Sequence, residues 1–160
     1  MPGKIPTLLF LIATASLSLA ADNPLTSLDS PIVIYQAGGD YEGLRDNLED
    51  AITGRGMIVT NTLHISQMLE RTAGDTGLST KIYERAESLE FCSILYSYRM
   101  SLAHPANMAT CPLTISIYQK AGDREHTYLA FRRPRLLGKS ADVEKAIVRL
   151  LGGIVEEALE

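Results

Sequence analysis

The feature that most narrows what this chain can fold into lies near its C-terminal end. There LTISIYQK (113–120) and HTYLAFRRP (126–134) alternate apolar and polar residues on either side of the turn residues AGDR. Alternation on both sides of so short a connection predicts an antiparallel hairpin. A helix-period segment follows it. Ser140 is placed as an N-cap, and Val143, Ile147, Leu150, Leu151 and Ile154 share one helical face, a pattern interrupted by Gly152-Gly153.

Earlier segments have the same grain size. PIVIYQA gives a strand over Ile32 to Ala37, ended by Gly38-Gly39. Asp40 is placed to cap a helix with Leu44, Leu48 and Ile52 at i, i+4, i+8, and Gly54 stands where a left-handed C-terminal residue belongs. MIVTNTLHI reads as a second strand, and SQMLERTAGDTG as a short helix closed by glycines. KIYERAESLEF permits a helix through Ile82, Ala86 and Leu89, but Tyr83 and its apolar end favour a strand. Ser93 then caps ILYSYRMSLAH, which Pro105 terminates. The order is βαβαβαββα.

The first residues predict the compartment. MPGK precedes TLLFLIATASLSLAA, an apolar run too short to span a bilayer comfortably and closed by small residues. It reads as a secretory signal peptide over residues 1–20, cleaved after Ala20. Residues 21–31 form a flexible or loosely packed polar arm, and 32–160 a single domain in the periplasm or outside the cell, with no membrane contact after cleavage. Removing residues 1–20 from the 160 leaves 140, enough for one core and too few for two. Lys+Arg 15 against Asp+Glu 19 gives a net charge of −4, no basic field for nucleic acid. The absence of Trp and a 6% aromatic content disfavour a base- or sugar-stacking platform. No GxSxG elbow, P-loop, HExxH or GxGxxG is present. No catalytic residue is assigned.

The chemistry concentrates in EFCSILYSYRMSLAHPANMATCP, Glu90 to Pro112, which holds both cysteines. Cys92 falls at a strand end and at the start of the next helix, where unpaired N–H groups favour a thiolate and predict a lowered thiol pKa. Tyr96, Met100 and His104 share a helical face, so Met and His would meet a soft metal or a haem edge together. His64 and Met68 repeat the i, i+4 spacing, and with Cys111 they complete a candidate set for copper, whose Cu(I) state prefers thiolate, thioether and imidazole. The plainer reading makes Met100 core filling and His104 a polar helix end, and His126 an exposed strand residue.

An exported chain with an even Cys count also invites a Cys92–Cys111 disulfide. If the strands flanking the helix run parallel, the two cysteines sit at opposite ends, beyond the ~7 Å between Cα atoms that a bridge spans, unless loop 105–111 folds back. Bridge and free thiols both stand open at this point. A thiol-dependent enzyme would need His64 or His104 as base through tertiary contact. Arg132-Arg133, at the hairpin end, is a weak anion-binding candidate beside its simpler role as a solvated strand end.

The order and spacing of a strand ending in Cys92, a helix, Pro105 thirteen residues on, Pro112 seven further and a closing FRRP (Phe131 to Pro134) resemble the family called domain of unknown function 302, in its FCS…CP…YRRP variant. The resemblance covers roughly residues 32–158. It implies a compact α+β domain of TATA-binding-protein-like topology, with helices packed on one mixed or antiparallel sheet. It also implies a frequent homodimer and no established activity. In the commoner pattern Asn-Pro follows the first Cys and the second Cys follows the second Pro, whereas here Ser93-Ile94 follow Cys92 and Cys111 precedes Pro112.

Overall fold

The structure, a computed structural model, describes residues 24–160; the expected signal peptide lies outside the described residues. The elements are β1 (Ile32–Gly38), α1 (Tyr41–Thr53), β2 (Val59–Leu63), α2 (Ile65–Thr76), β3 (Tyr83–Phe91), α3 (Ile94–Ala103), a 3-10 turn (Pro105–Thr110), β4 (Leu113–Lys120), β5 (His126–Arg132) and α4 (Ala141–Ala158). The strands form one five-stranded sheet of order β1-β5-β4-β3-β2, and every neighbouring pair is antiparallel. This is the single α+β domain in the expected order, and the segment that admits either a helix or a strand is strand β3.

Alternation along the strands decides which face is covered. Val33, Tyr35, Leu89, Phe91, Leu113, Ile115, Ile117, Leu129 and Phe131 point to one side. There they meet Leu44, Leu48 and Ile52 of α1 and Val143, Ile147, Leu151 and Ile154 of α4 in one cluster. Leu150 is only half-buried at its margin. Gly152-Gly153 do not interrupt α4, which stays helical to Ala158. The missing side chains admit two neighbours instead: a Cβ on Gly152 would stand 3.4 Å from the Tyr35 hydroxyl, and Arg55 Nη2 donates to Gly153 O at 2.8 Å.

Other local expectations change in detail. Asp40 caps α1 through Gly43 N–H at 3.1 Å. Gly54 keeps right-handed helical geometry, and the left-handed residue is Gly56 at φ 73°. Ser93 and Ser140 stand at N-cap positions, yet neither side chain bonds a helix N–H. In the polar arm, Leu25 N–H donates to Ile34 O at 2.7 Å and Thr26 Oγ1 accepts from Ile34 N–H at 3.0 Å, so this segment is laid against the free edge of β1.

The turn between β4 and β5 is tied to β3 through Glu84. Gly122 N–H donates to its carboxylate at 3.1 Å, and Lys81 and Arg124 pair with it. These partners, the Gly122 N–H foremost, push its pKa down to about 2.

Two expectations follow. Leu48 has no exposed surface, and Leu48→Ala should lower unfolding free energy by about 2–5 kcal/mol in urea titrations, since a core truncation loses transfer energy and leaves a cavity; a change near zero would mean that this face is not core. Glu84 binds fewer protons folded than unfolded, so its contribution is complete above the ordinary carboxylate range and disappears as pH falls through about 2. The stability advantage of wild type over Glu84→Gln should therefore shrink on acidification below pH ~4. A pH-independent advantage would contradict this assignment.

Candidate functional site

The antiparallel pairing of β3 with β4 builds the site. Its register includes Glu90↔Thr114 and Phe91↔Leu113, which places Cys92, the next residue out, level with Pro112 and beside Cys111. The chain leaves β3 at Cys92, rises through α3, returns through the 3-10 turn and enters β4 by a cis Cys111–Pro112 peptide. Twenty residues of chain thus close on themselves at the point where the strands separate. The condition under which the two cysteines sat at opposite ends, parallel flanking strands, does not hold.

Both thiols are free in the structure; Cys92 is exposed and Cys111 half-buried against the core. Ser97, one turn into α3, places its hydroxyl 3.1 Å from Cys111 Sγ. The Cys92 thiol pKa is raised, first by partial desolvation of the sulfur, then by the adjacent Cys111 thiol and by the Glu90 carboxylate. This reverses the lowered pKa expected from the helix start. Ser93 makes no side-chain cap bond, and the neighbours of Cys92 disfavour a second negative charge.

A network behind the thiols fixes the returning chain. Asn107, buried in the 3-10 turn, donates from Nδ2 to Met100 O at 3.0 Å and to Leu137 O at 3.1 Å, and accepts from Leu137 N–H at Oδ1 at 2.8 Å. Gly138, at φ 77°, lies so close to Ala103 O that a side chain there would collide with the end of α3. Asn107 and Ser97 escaped the sequence reading, because a polar residue in a helix or turn gives no sign of its tertiary partner.

The remaining candidates are dispersed. Met100 is fully buried in the core. His104 ends α3, about 15 Å along a ten-residue helix from Cys92, and its Nδ1 accepts from Ala106 N–H at 3.2 Å. His64 meets the Glu87 carboxylate at 3.1 Å, and Glu87 lies well back along β3 from Cys92. Met68 is exposed one turn further along α2. Arg133 is bound to Asp29, and Arg132 is exposed. Among the described residues no group of three or more His, Cys, Asp and Glu side chains is arranged to hold a metal ion, and no helix is long and apolar enough to cross a membrane.

A single α+β domain with α1 and α4 packed on an antiparallel sheet, and two thiols gathered where β3 and β4 part, defines the class of molecule. The model of the family described as "Domain of unknown function DUF302" matches residues 33–158, and the chain belongs to that family. A crystal structure described as uncharacterized conserved protein DUF302 from Bacillus stearothermophilus matches with a TM-score of 0.63 and 14% identity, over 80% of this chain and 98% of that one. At that identity the likeness concerns the fold. No curated protein matches the chain.

The geometry sets an expectation for thiol reactivity. Alkylation of Cys92, followed against pH, should show a midpoint above the ~8.5 of a free cysteine. In Cys111→Ala the midpoint should move down, because the neighbouring thiol contributes to the rise. A wild-type midpoint below the free value would mean that the start of α3 dominates the environment of Cys92.

Proposed function

We propose that this protein is an exported accessory domain, periplasmic or secreted, whose working group is the Cys92–Cys111 dithiol and whose ligand is a soft metal ion, copper as Cu(I). The observation that carries this reading is the register of β3 against β4, which sets two free thiols side by side at the surface end of the sheet. Two thiolates suit a soft monovalent ion, which accepts low coordination numbers and replaces the protons of both thiols. The raised pKa of Cys92 keeps the empty site protonated, so binding releases protons and tightens as pH rises. The leader sequence supports an exported setting.

This version of the site uses the thiols alone. Met100 belongs to the core and His104 to the far end of α3, so neither a Met–His copper stripe nor a haem held between them fits the helix. A thiol-dependent enzyme has less support, since His64 and His104 are engaged away from Cys92.

A competition titration with a Cu(I) chelator under reducing conditions tests the proposal. Cys92→Ser and Cys111→Ser should each weaken binding by about a hundredfold or more through loss of a thiolate. His104→Ala and His126→Ala should leave it unchanged. If wild type binds no more tightly than the double serine variant, the dithiol is not a metal site. The adjacency of the cysteines favours one second reading, a structural disulfide closing the β3–α3–β4 excursion. Free-thiol counting on protein recovered from its own exported compartment separates the two: two titratable thiols support the metal reading, none the disulfide.

A further inference from the structure

Helix α3 is apolar on two sides, and the core uses one of them. Met100 is fully buried and Tyr96 packs against the core cluster, which turns that side inward. Ile94, Leu95, Tyr98 and Leu102, at i, i+1, i+4 and i+8, share a stripe about 100° wide on the other side. All four are exposed, Ile94 at 89% and Leu102 at 74% of their surface. The 3-10 turn adds exposed Met108, and Leu137, tied by its backbone to Asn107 of that turn, adds another exposed aliphatic side chain. A helix that is apolar all round is ordinarily covered all round. Large aliphatic side chains grouped in water mark a contact surface.

The charges near the stripe are of one sign. Residues 91–122 and 126–141 contain no Asp or Glu, and they carry Arg99, Lys120, Arg132, Arg133, Arg135 and Lys139. Arg99 stands at the border of the stripe, 5.8 Å from the Tyr96 ring centroid. Arg135 and Lys139 are exposed on the segment whose Gly138 lies against Ala103 O and the His104 side chain, at the end of α3. Carboxylates on adjoining elements are occupied or offset. Glu144 accepts from Leu136 N–H at 2.7 Å, Glu90 accepts from Asn61 at 3.0 Å, and Asp29 is paired with Arg133. Asp142 stands in the first turn of α4, where the helix dipole opposes its charge. A net charge of −4 argues against an anionic partner for the chain as a whole, and this end departs from that average.

We propose that this end of the molecule docks on an anionic phospholipid surface. Helix α3 lies along the interface with Ile94, Leu95, Tyr98 and Leu102 among the upper acyl chains, while Arg99, Arg135 and Lys139 reach headgroup phosphates. Tyr98 suits that boundary, since its ring is apolar and its hydroxyl stays wet. The main cavities of the described residues lie elsewhere, so the stripe projects instead of lining a groove, as a deformable partner of no fixed shape requires. Among the described residues no helix is long and apolar enough to cross a membrane, and the contact is peripheral. Cys92 stands two residues before Ile94, which sets the dithiol at the margin of the docked face. The docking itself does not depend on what the thiols bind.

Co-sedimentation with vesicles reads the proposal, using protein recovered from its own exported compartment and phosphatidylcholine vesicles containing about one third phosphatidylglycerol. Wild type should bind these vesicles about tenfold or more tightly than vesicles of phosphatidylcholine alone, because the headgroup charge is lost in the second. The double variant Ile94→Gln, Leu102→Gln should weaken binding by about tenfold or more through lost apolar burial, and Arg99→Glu with Lys139→Glu by a similar factor through charge reversal. Leu78→Gln, at an exposed leucine near the start of β3 and so at the other end of that strand from Cys92, should bind as wild type does. All forms share one N-terminus, so a loss belongs to the substituted face, and circular dichroism checks that the fold is kept. A wild type that stays in the supernatant overturns the proposal, and it is the result expected if the stripe serves a protein partner. Binding that the α3 substitutions leave unchanged, or that is equal on neutral vesicles, overturns it as well.

Discussion

The antiparallel pairing of β3 with β4 is the contact on which the rest of this molecule depends. It occupies the middle of the sheet, with β5 and β1 to one side and β2 to the other. It also turns a long excursion through α3 and the 3-10 turn into a closed loop, so that residues at its two ends become neighbours. Backbone hydrogen bonding sets the register, and the register sets the chemistry: a shift of one residue would exchange the two faces of β4 and part the cysteines. Asn107 and Gly138 hold the returning segment from the other end, which spares the thiols any role in anchoring it.

The two faces of the sheet obey different rules. On the covered face, large aliphatic side chains of alternate strand positions meet α1 and α4, and size and shape dominate. On the opposite face, small residues and tyrosines meet across the strands, Ser88 with Ser116 and Tyr118 with Tyr128. A strand buried on both faces would read as a continuous apolar run; the alternation of LTISIYQK is the signature of a strand that turns one set of side chains, Leu113, Ile115 and Ile117, into the core.

Much of the fold was legible because its determinants are local. Asp40 capping α1, the 3.6-residue spacing of Leu44, Leu48 and Ile52, the alternation of β4 and the stop imposed by Pro105 each act within a few residues. The glycines misled in proportion to their tertiary role: Gly54 lacks the left-handed turn, and Gly152-Gly153 serve Tyr35 and Arg55 without breaking α4. The site was legible only as a list of reactive residues. Helical spacing put Met100 and His104 on one face but gave no sign that this face turns into the core at Met100. The neighbourhood of Cys92 and Cys111 depends on strand direction, a long-range property that neither cysteine's local sequence encodes.

The adjacency of Cys92 and Cys111 is open to direct measurement with a bifunctional thiol reagent such as dibromobimane, applied to the native reduced protein and read by peptide mass spectrometry. The account predicts one intramolecular bridge joining the Cys92 and Cys111 peptides, formed in the folded protein and lost when the chain is unfolded in denaturant before labelling. Two independent single-site adducts on the native protein, with no bridged peptide, would contradict it: the strands would not meet in this register, and the dithiol would not exist.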